Sequence, residues 1–113
     1  EACELYKSSI EDMITKIPDR AYKVIYTTAV LEHLHIDSEW VFGEMVRITA
    51  DYLVTIEDEL SVSCRTFPRN YSEVFEELGM VQMKAINCAN IDGLTGSYVA
   101  RIFRHKNGSN PNV

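Results

Sequence analysis

Three short stretches hold the side chains that could do chemistry. Glu32 and His33 stand side by side, with His35 two residues on. A carboxylate next to an imidazole can pass a proton, so Glu32 and His33 are candidate catalytic residues, with His33 as the base. The three lack metal-ligand spacing. A helical H-x-x-x-H brings two imidazoles to one side, whereas adjacent and alternate positions diverge, so no metal is expected. The second stretch is Glu57-Asp58-Glu59. It could hold a substrate or a cation at a strand end, or form a solvated acidic loop. In the third, Arg65, Arg69 and Tyr71 surround Phe67 and Pro68. These arginines could grip an anionic acceptor, or answer the acidic run through exposed ion pairs of little energetic weight. Glu57, Arg65 and Arg69 are the candidate substrate-binding residues.

Other chemistries find no support. No G-x-S-x-G elbow and no P-loop occur in the sequence. The three cysteines (Cys3, Cys64, Cys88) are odd in number and contain no C-x-x-C, which argues for a reducing, cytoplasmic setting. Cys64 and Cys88 read as small packing residues. Eleven basic against seventeen acidic residues give a net charge of −6, which disfavours sequence-independent nucleic-acid binding. No apolar run is long enough to span a bilayer, and Glu1 to Lys7 do not read as a signal peptide.

These residues need elements to position them, and 113 residues at 46% hydrophobic content suffice for one domain. Ser8 and Ser9 with Glu11 and Asp12 fit capping boxes for a helix from Ser9 to Lys16, stopped by Pro18. Tyr22–Thr28 (YKVIYTT) is β-branched and aromatic, and its near-continuous apolar character predicts a strand covered on both faces. Ala29 to Leu34 forms a turn or short helix. Val41, Met45 and Ile48 mark a helix from Ser38 to Ile48. Tyr52–Ile56 is a strand, and 61–70 a loop. A helix runs from Asn70 or Ser72 to Leu78, with Gly79 after it. Met80–Cys88 and Tyr98–Arg104 are strands joined by a turn over 90–97. Residues 1–7 and 105–113 are expected to fray. Tyr22, Tyr26, Tyr52 and Phe103 read as sheet packing, and Trp40 as core or partner surface. The order predicts an α/β fold with a parallel pair of strands followed by an antiparallel hairpin.

The run Tyr22-Lys23-Val24-Ile25-Tyr26-Thr27-Thr28-Ala29-Val30-Leu31-Glu32-His33-Leu34 resembles the fourth strand and following turn of class I S-adenosylmethionine-dependent methyltransferases. Tyr52 to Glu57 is similar to that family's fifth strand with its acidic end. Phe75-Glu76-Glu77-Leu78-Gly79-Met80 is similar to its helix-to-strand junction before the closing hairpin. The resemblance covers residues 8–104 and the C-terminal half of the family's doubly wound, Rossmann-like sheet. The sequence departs from the family at Ser9, where an acidic residue often stands near the adenine, and at Lys23, where Asp is usual.

The resemblance implies methyl transfer from S-adenosylmethionine to a small-molecule or sugar-like acceptor in the complete enzyme. It implies cofactor contacts at Ser9, Ile10, Thr27 and Thr28. In the family the Glu32-His33 pair also serves to cap and orient the turn beside the pocket. The glycine-rich turn that anchors the cofactor has no counterpart, because all five glycines lie elsewhere (Gly43, Gly79, Gly93, Gly96, Gly108). The isolated chain is therefore expected to be inactive and not to hold the cofactor alone. The family's first strand is missing too, which leaves Val24–Thr28 as a bare edge that invites pairing. The partner would be a second copy or a complementary half-domain, and the alternative function is such a non-catalytic pairing domain.

Overall fold

The computed structural model describes residues 9–91 and 96–106. Ser9 caps helix α1 (Ile10–Met13), its hydroxyl accepting from the Asp12 amide at 3.2 Å, and the helix tightens into a 3-10 turn at Ile14–Lys16. Strand β1 (Tyr22–Thr28) follows, then 3-10 turns at Leu31–His33 and Ile36–Ser38, and helix α2 (Trp40–Ile48). Arg47 near the end of α2 donates to the carbonyls of Ile14 and Ile17 and to Asp19 Oδ1, so one guanidinium fastens the α1 segment to α2. Strand β2 (Thr49–Asp58) leaves α2 without a loop, so it is longer at both ends than its apolar centre suggests. Helix α3 (Tyr71–Glu77) is capped by the Asn70 side chain. Gly79 then turns the chain at φ +94°, a conformation that glycine adopts without strain. Strands β3 (Met80–Asn87) and β4 (Tyr98–His105) complete the sheet.

The sheet order is β1-β2-β4-β3, with β1 parallel to β2 and the other two pairs antiparallel. Ile25 lies opposite Leu53, and Leu53 opposite Phe103. That row faces the helices. Phe42, Tyr71, Phe75 and Phe103 pack there with ring centroids 5.2–6.3 Å apart, and Ile14, Leu31, Met45 and Met80 fill the space around them.

All three helices pack on this one face, and this corrects the expectation that β1 is covered on both. Val24 is 54% exposed and Tyr26 72%. They lie in rows with Tyr52, Val54, Ile102 and Arg104 on the opposite face. Phe103 is buried as expected, whereas Tyr22, Tyr26 and Tyr52 remain substantially exposed; Trp40 is half exposed, so of its two readings it is not core; and of the two cysteines read as packing residues only Cys88 is buried. His105 does not fray. It ends β4, buried, with Nε2 donating to the Thr49 carbonyl at 2.7 Å. Residues 1–8, 92–95 and 107–113, which include most of the expected frayed ends and part of the 90–97 turn, lie outside the described residues.

Candidate functional site at the strand ends

Because β1 and β2 are parallel, their carboxyl ends share one edge, the place where open α/β sheets receive ligands. Thr27 and Thr28 close β1, and Glu57 and Asp58 close β2. The chain leaves β1 through Ala29 at φ +55°, a left-handed conformation that costs a non-glycine residue roughly 1–2 kcal/mol. The Ala29 amide holds it there by donating to the Ile56 carbonyl at 3.0 Å.

The turn that follows is pinned from several sides. Glu57 Oε1 accepts from the amides of Val30 (2.9 Å) and Glu32 (3.1 Å). Glu32 Oε1 in return accepts from the Asp58 amide at 2.9 Å. Each carboxylate thus caps the backbone of the other's segment. Arg69, with a side chain only 6% exposed, donates to the carbonyls of Leu31 (3.0 Å) and Leu34 (2.7 Å) and to Glu39 Oε2 (2.6 Å). Its guanidinium also lies over the rings of Phe42 and Phe67. The Phe67 amide donates to the Glu32 carbonyl at 2.8 Å.

Glu57 is wholly buried. Burial pushes its carboxyl above the usual carboxylate range, and the charge of Glu32 adds to this, although the Thr27 hydroxyl and the turn amides pull it down. Glu57 Oε2 makes no hydrogen bond, and the Thr27 hydroxyl facing the same carboxyl has no complete hydrogen bond either. Asp58 behaves oppositely. Burial raises its carboxyl, but hydrogen bonds from Ser61, Leu60 and Ser97 outweigh that and hold it below its ordinary value. Glu59 takes a two-pronged pair with Arg101 at 2.8 and 2.9 Å, and Arg101 donates further to Gln82 Oε1. The acidic run is therefore largely buried and partnered.

His33 stands at the surface, with half its side chain exposed. Its Nδ1 lies 2.7 Å from the Arg65 carbonyl and its Nε2 lies 3.5 Å from Glu32 Oε2. His33, His35, Cys64, Arg65 and Phe67 line an open hollow of about 540 Å³. On the other side of β1, a second hollow of about 500 Å³ is lined by Ile10, Met13, Ile25 and Thr27 among others. The structure thus brings Ile10 and Thr27 to one groove and His33 and Arg65 to one hollow. Ser9 caps the helix bordering the groove, and Thr28 is exposed at the strand end. Glu32, Glu57 and Arg69 are committed to the chain's own backbone. Tyr98, whose hydroxyl lies 3.5 Å from Glu32 Oε2, and Arg101 belong to the same edge. Only the antiparallel register of β4 brings them there, and no sequence motif marks them. No group of three His, Cys, Asp or Glu among the described residues is arranged to hold a metal ion. No helix among them is long and apolar enough to cross a membrane.

No protein-family model matches the chain, and no curated protein matches it. Solved structures do. A SAM-dependent methyltransferase from Archaeoglobus fulgidus aligns with a TM-score of 0.68 at 12% identity, over 88% of this chain and 66% of that one. Another from Aquifex aeolicus aligns with a TM-score of 0.57 at 15% identity, over 89% of this chain and 53% of that one. The chain spans between about half and two thirds of the length of these neighbours. Its four-stranded mixed sheet with flanking helices is the fold that about half to two thirds of these neighbours' chains adopt.

Proposed function

We propose that this chain is the acceptor-side part of an S-adenosylmethionine-dependent methyltransferase, acting on a small-molecule or sugar-like acceptor when the remainder of the domain is present. The observation that carries the reading is the turn Val30–Leu34. It is held by Glu57, Glu32 and Arg69 at the ligand-receiving edge of a sheet whose structural neighbours are methyltransferases. A turn pinned this way keeps reacting groups in register without reorganisation.

The β1 groove fits one end of the cofactor. Ile10, Met13 and Ile25 offer an apolar wall to an adenine ring, and Thr27 borders it. No charged side chain lines that groove to grip a ribose diol or an amino-acid end. Without those anchors the ordering cost of a flexible ligand is not met, so the chain alone does not retain it. When bound, the cofactor supplies a methyl carbon on a positive sulfur. The chain's own part concerns the acceptor. A carbonyl can only accept, so His33 Nδ1 carries the hydrogen in its bond to Arg65, and Nε2 keeps a lone pair. Nε2 takes the acceptor's proton, and the imidazolium formed there lies 3.5 Å from the Glu32 carboxylate. Arg65, beside His33 in the hollow, orients an anionic or hydroxyl-rich acceptor.

Titration calorimetry with S-adenosylmethionine and S-adenosylhomocysteine tests this reading. The chain alone should give no heat even at about millimolar ligand. Joined to the rest of the domain it should bind and turn over, and His33→Asn should then lower kcat by roughly 10²-fold. An unchanged kcat would take His33 out of the chemistry. One observation favours a second reading, a non-catalytic domain that pairs through β1, namely the exposure of Val24 and Tyr26 beside that edge. Heat from cofactor binding to the chain alone would count against it.

A further inference from the structure

Helices α2 and α3 meet through Phe42, Tyr71 and Phe75. Beside that contact they leave a hollow of about 330 Å³, lined by Trp40, Gly43, Val74, Glu77 and Leu78 among others. Trp40 and Leu78 are large apolar side chains left exposed there, and Trp40 is the one tryptophan of the sequence. Gly43 stands in the interior of α2, where only proline is less favourable. Its backbone is ordinary helix, unlike that of Gly79. A β-carbon added at Gly43 meets nothing within 4 Å. Packing among the described residues therefore gives no reason for this glycine. A guest in the hollow does, because it needs the space that a side chain would take.

We propose that this hollow docks an arginine of a partner protein. The guanidinium stacks on the Trp40 indole and forks onto Glu77, and an aliphatic neighbour of that arginine packs against Val74 and Leu78. Charge selects the occupant. Arg69 and Glu39 also border the hollow, but they answer each other at 2.6 Å. Glu77 is exposed and pairs with no described cation. The net charge of −6 attracts a basic segment and repels a second copy of the chain. Arg69 shows how this fold holds a guanidinium, with aromatic rings and a carboxylate, and Trp40 and Glu77 offer the same combination to a second one. A planar fork that stacks and pairs is arginine's chemistry rather than lysine's. The residues outside the described ones hold no arginine, so they do not supply the guest. The hollow shares no lining residue with the two described above, so the inference holds whether or not the chain takes part in methyl transfer.

The test uses the full chain and two short capped peptides of leucine and alanine, one around a central arginine and one around citrulline, its neutral isostere. Trp40 reports directly, because no other tryptophan contributes to the emission. The arginine peptide should shift that emission saturably, and the citrulline peptide should bind about tenfold or more weakly at low salt. Glu77→Gln should weaken the arginine peptide and leave the citrulline peptide unchanged. Gly43→Leu should fill the hollow and abolish binding, while the melting temperature holds or rises because leucine is the better helix former. Should Gly43→Leu fail to fold, the ratio of the two peptides on the unaltered chain decides the matter. Equal binding of both peptides would overturn the proposal, as would full binding by a folded Gly43→Leu chain. So would the absence of a saturable shift at about millimolar peptide, or tetramethylammonium binding as tightly as the arginine peptide, which would make the hollow a small-cation site.

Discussion

The two faces of the sheet are built from similar residues and meet different fates. One face carries Ile25, Leu53 and Phe103, and the other carries Val24, Tyr26, Val54 and Ile102. Both are β-branched, aromatic or aliphatic. The first is sealed by α2 and α3 through Phe42, Tyr71 and Phe75, whereas the second has no layer over it among the described residues. Strand composition therefore records what a face is suited to meet, not what it meets in the isolated chain. The energetics divide the same way. Apolar area removed from water contributes about 25 cal/mol per Å², so the helix-covered face supplies most of the hydrophobic stabilisation and the open face adds little until something covers it.

The largest expected effect breaks the covered face. Phe75 is fully buried and touches Phe42, Tyr71 and Phe103. Phe75→Ala should cost about 3–5 kcal/mol, read as a fall in the urea midpoint at unchanged m value. A loss below about 1 kcal/mol would mean that the aromatic cluster is not the core. Next comes the strut under the turn. Arg69→Ala strips two backbone carbonyls and Glu39 of their donor, and should cost about 1–3 kcal/mol. Arg69→Lys should recover only part of this, because an ammonium cannot reproduce the planar fork between Leu31 and Leu34. Full recovery would show that charge alone suffices there.

How much of this was legible in the sequence follows from range. Local signals gave the elements. Ser9 and Asn70 as caps, Gly79 after α3, and the β-branched run of β1 all act within a few residues of where they stand. The hairpin order was legible for the same reason. The site was legible only as a set of residue types. Glu32 stands out beside His33, Glu57 in an acidic run at a strand end, and Arg69 beside Phe67 and Pro68 in a loop. Their roles depend on bonds spanning 25 to 38 residues, which no local pattern encodes. The opposite error arose at β1. An apolar strand implies two covers, and composition does not say whether both are present.

A smaller, pH-dependent effect separates two neighbouring carboxyls at the strand end. The Glu57 carboxyl is raised by burial, so the folded chain holds its proton more tightly than the unfolded chain. Its contribution is complete below the ordinary value of 4.5 and is lost as pH rises through the raised folded value. Asp58, held low by its hydrogen bonds, contributes above its ordinary value of 3.8 and is lost as pH falls through the lowered folded value. Glu57→Gln should therefore gain stability relative to the unaltered chain as pH is raised from about 4 toward 7, and Asp58→Asn should lose stability relative to it as pH is raised from about 2 toward 5. Urea midpoints across the two ranges give both slopes. Slopes of the same sign would mean that the burial of Glu57 does not govern its titration.

The smallest effect is expected on the open face, and its smallness is the point. Tyr26 is 72% exposed on an edge strand. Tyr26→Thr keeps β propensity and removes the ring, so the isolated chain should change by no more than about 0.5 kcal/mol. An equal truncation on the covered face changes stability several-fold more, because there the side chain leaves a cavity. A cost above about 1.5 kcal/mol for Tyr26→Thr would place the ring in a core not formed by the described residues, and the two faces would then differ in partner rather than in cover.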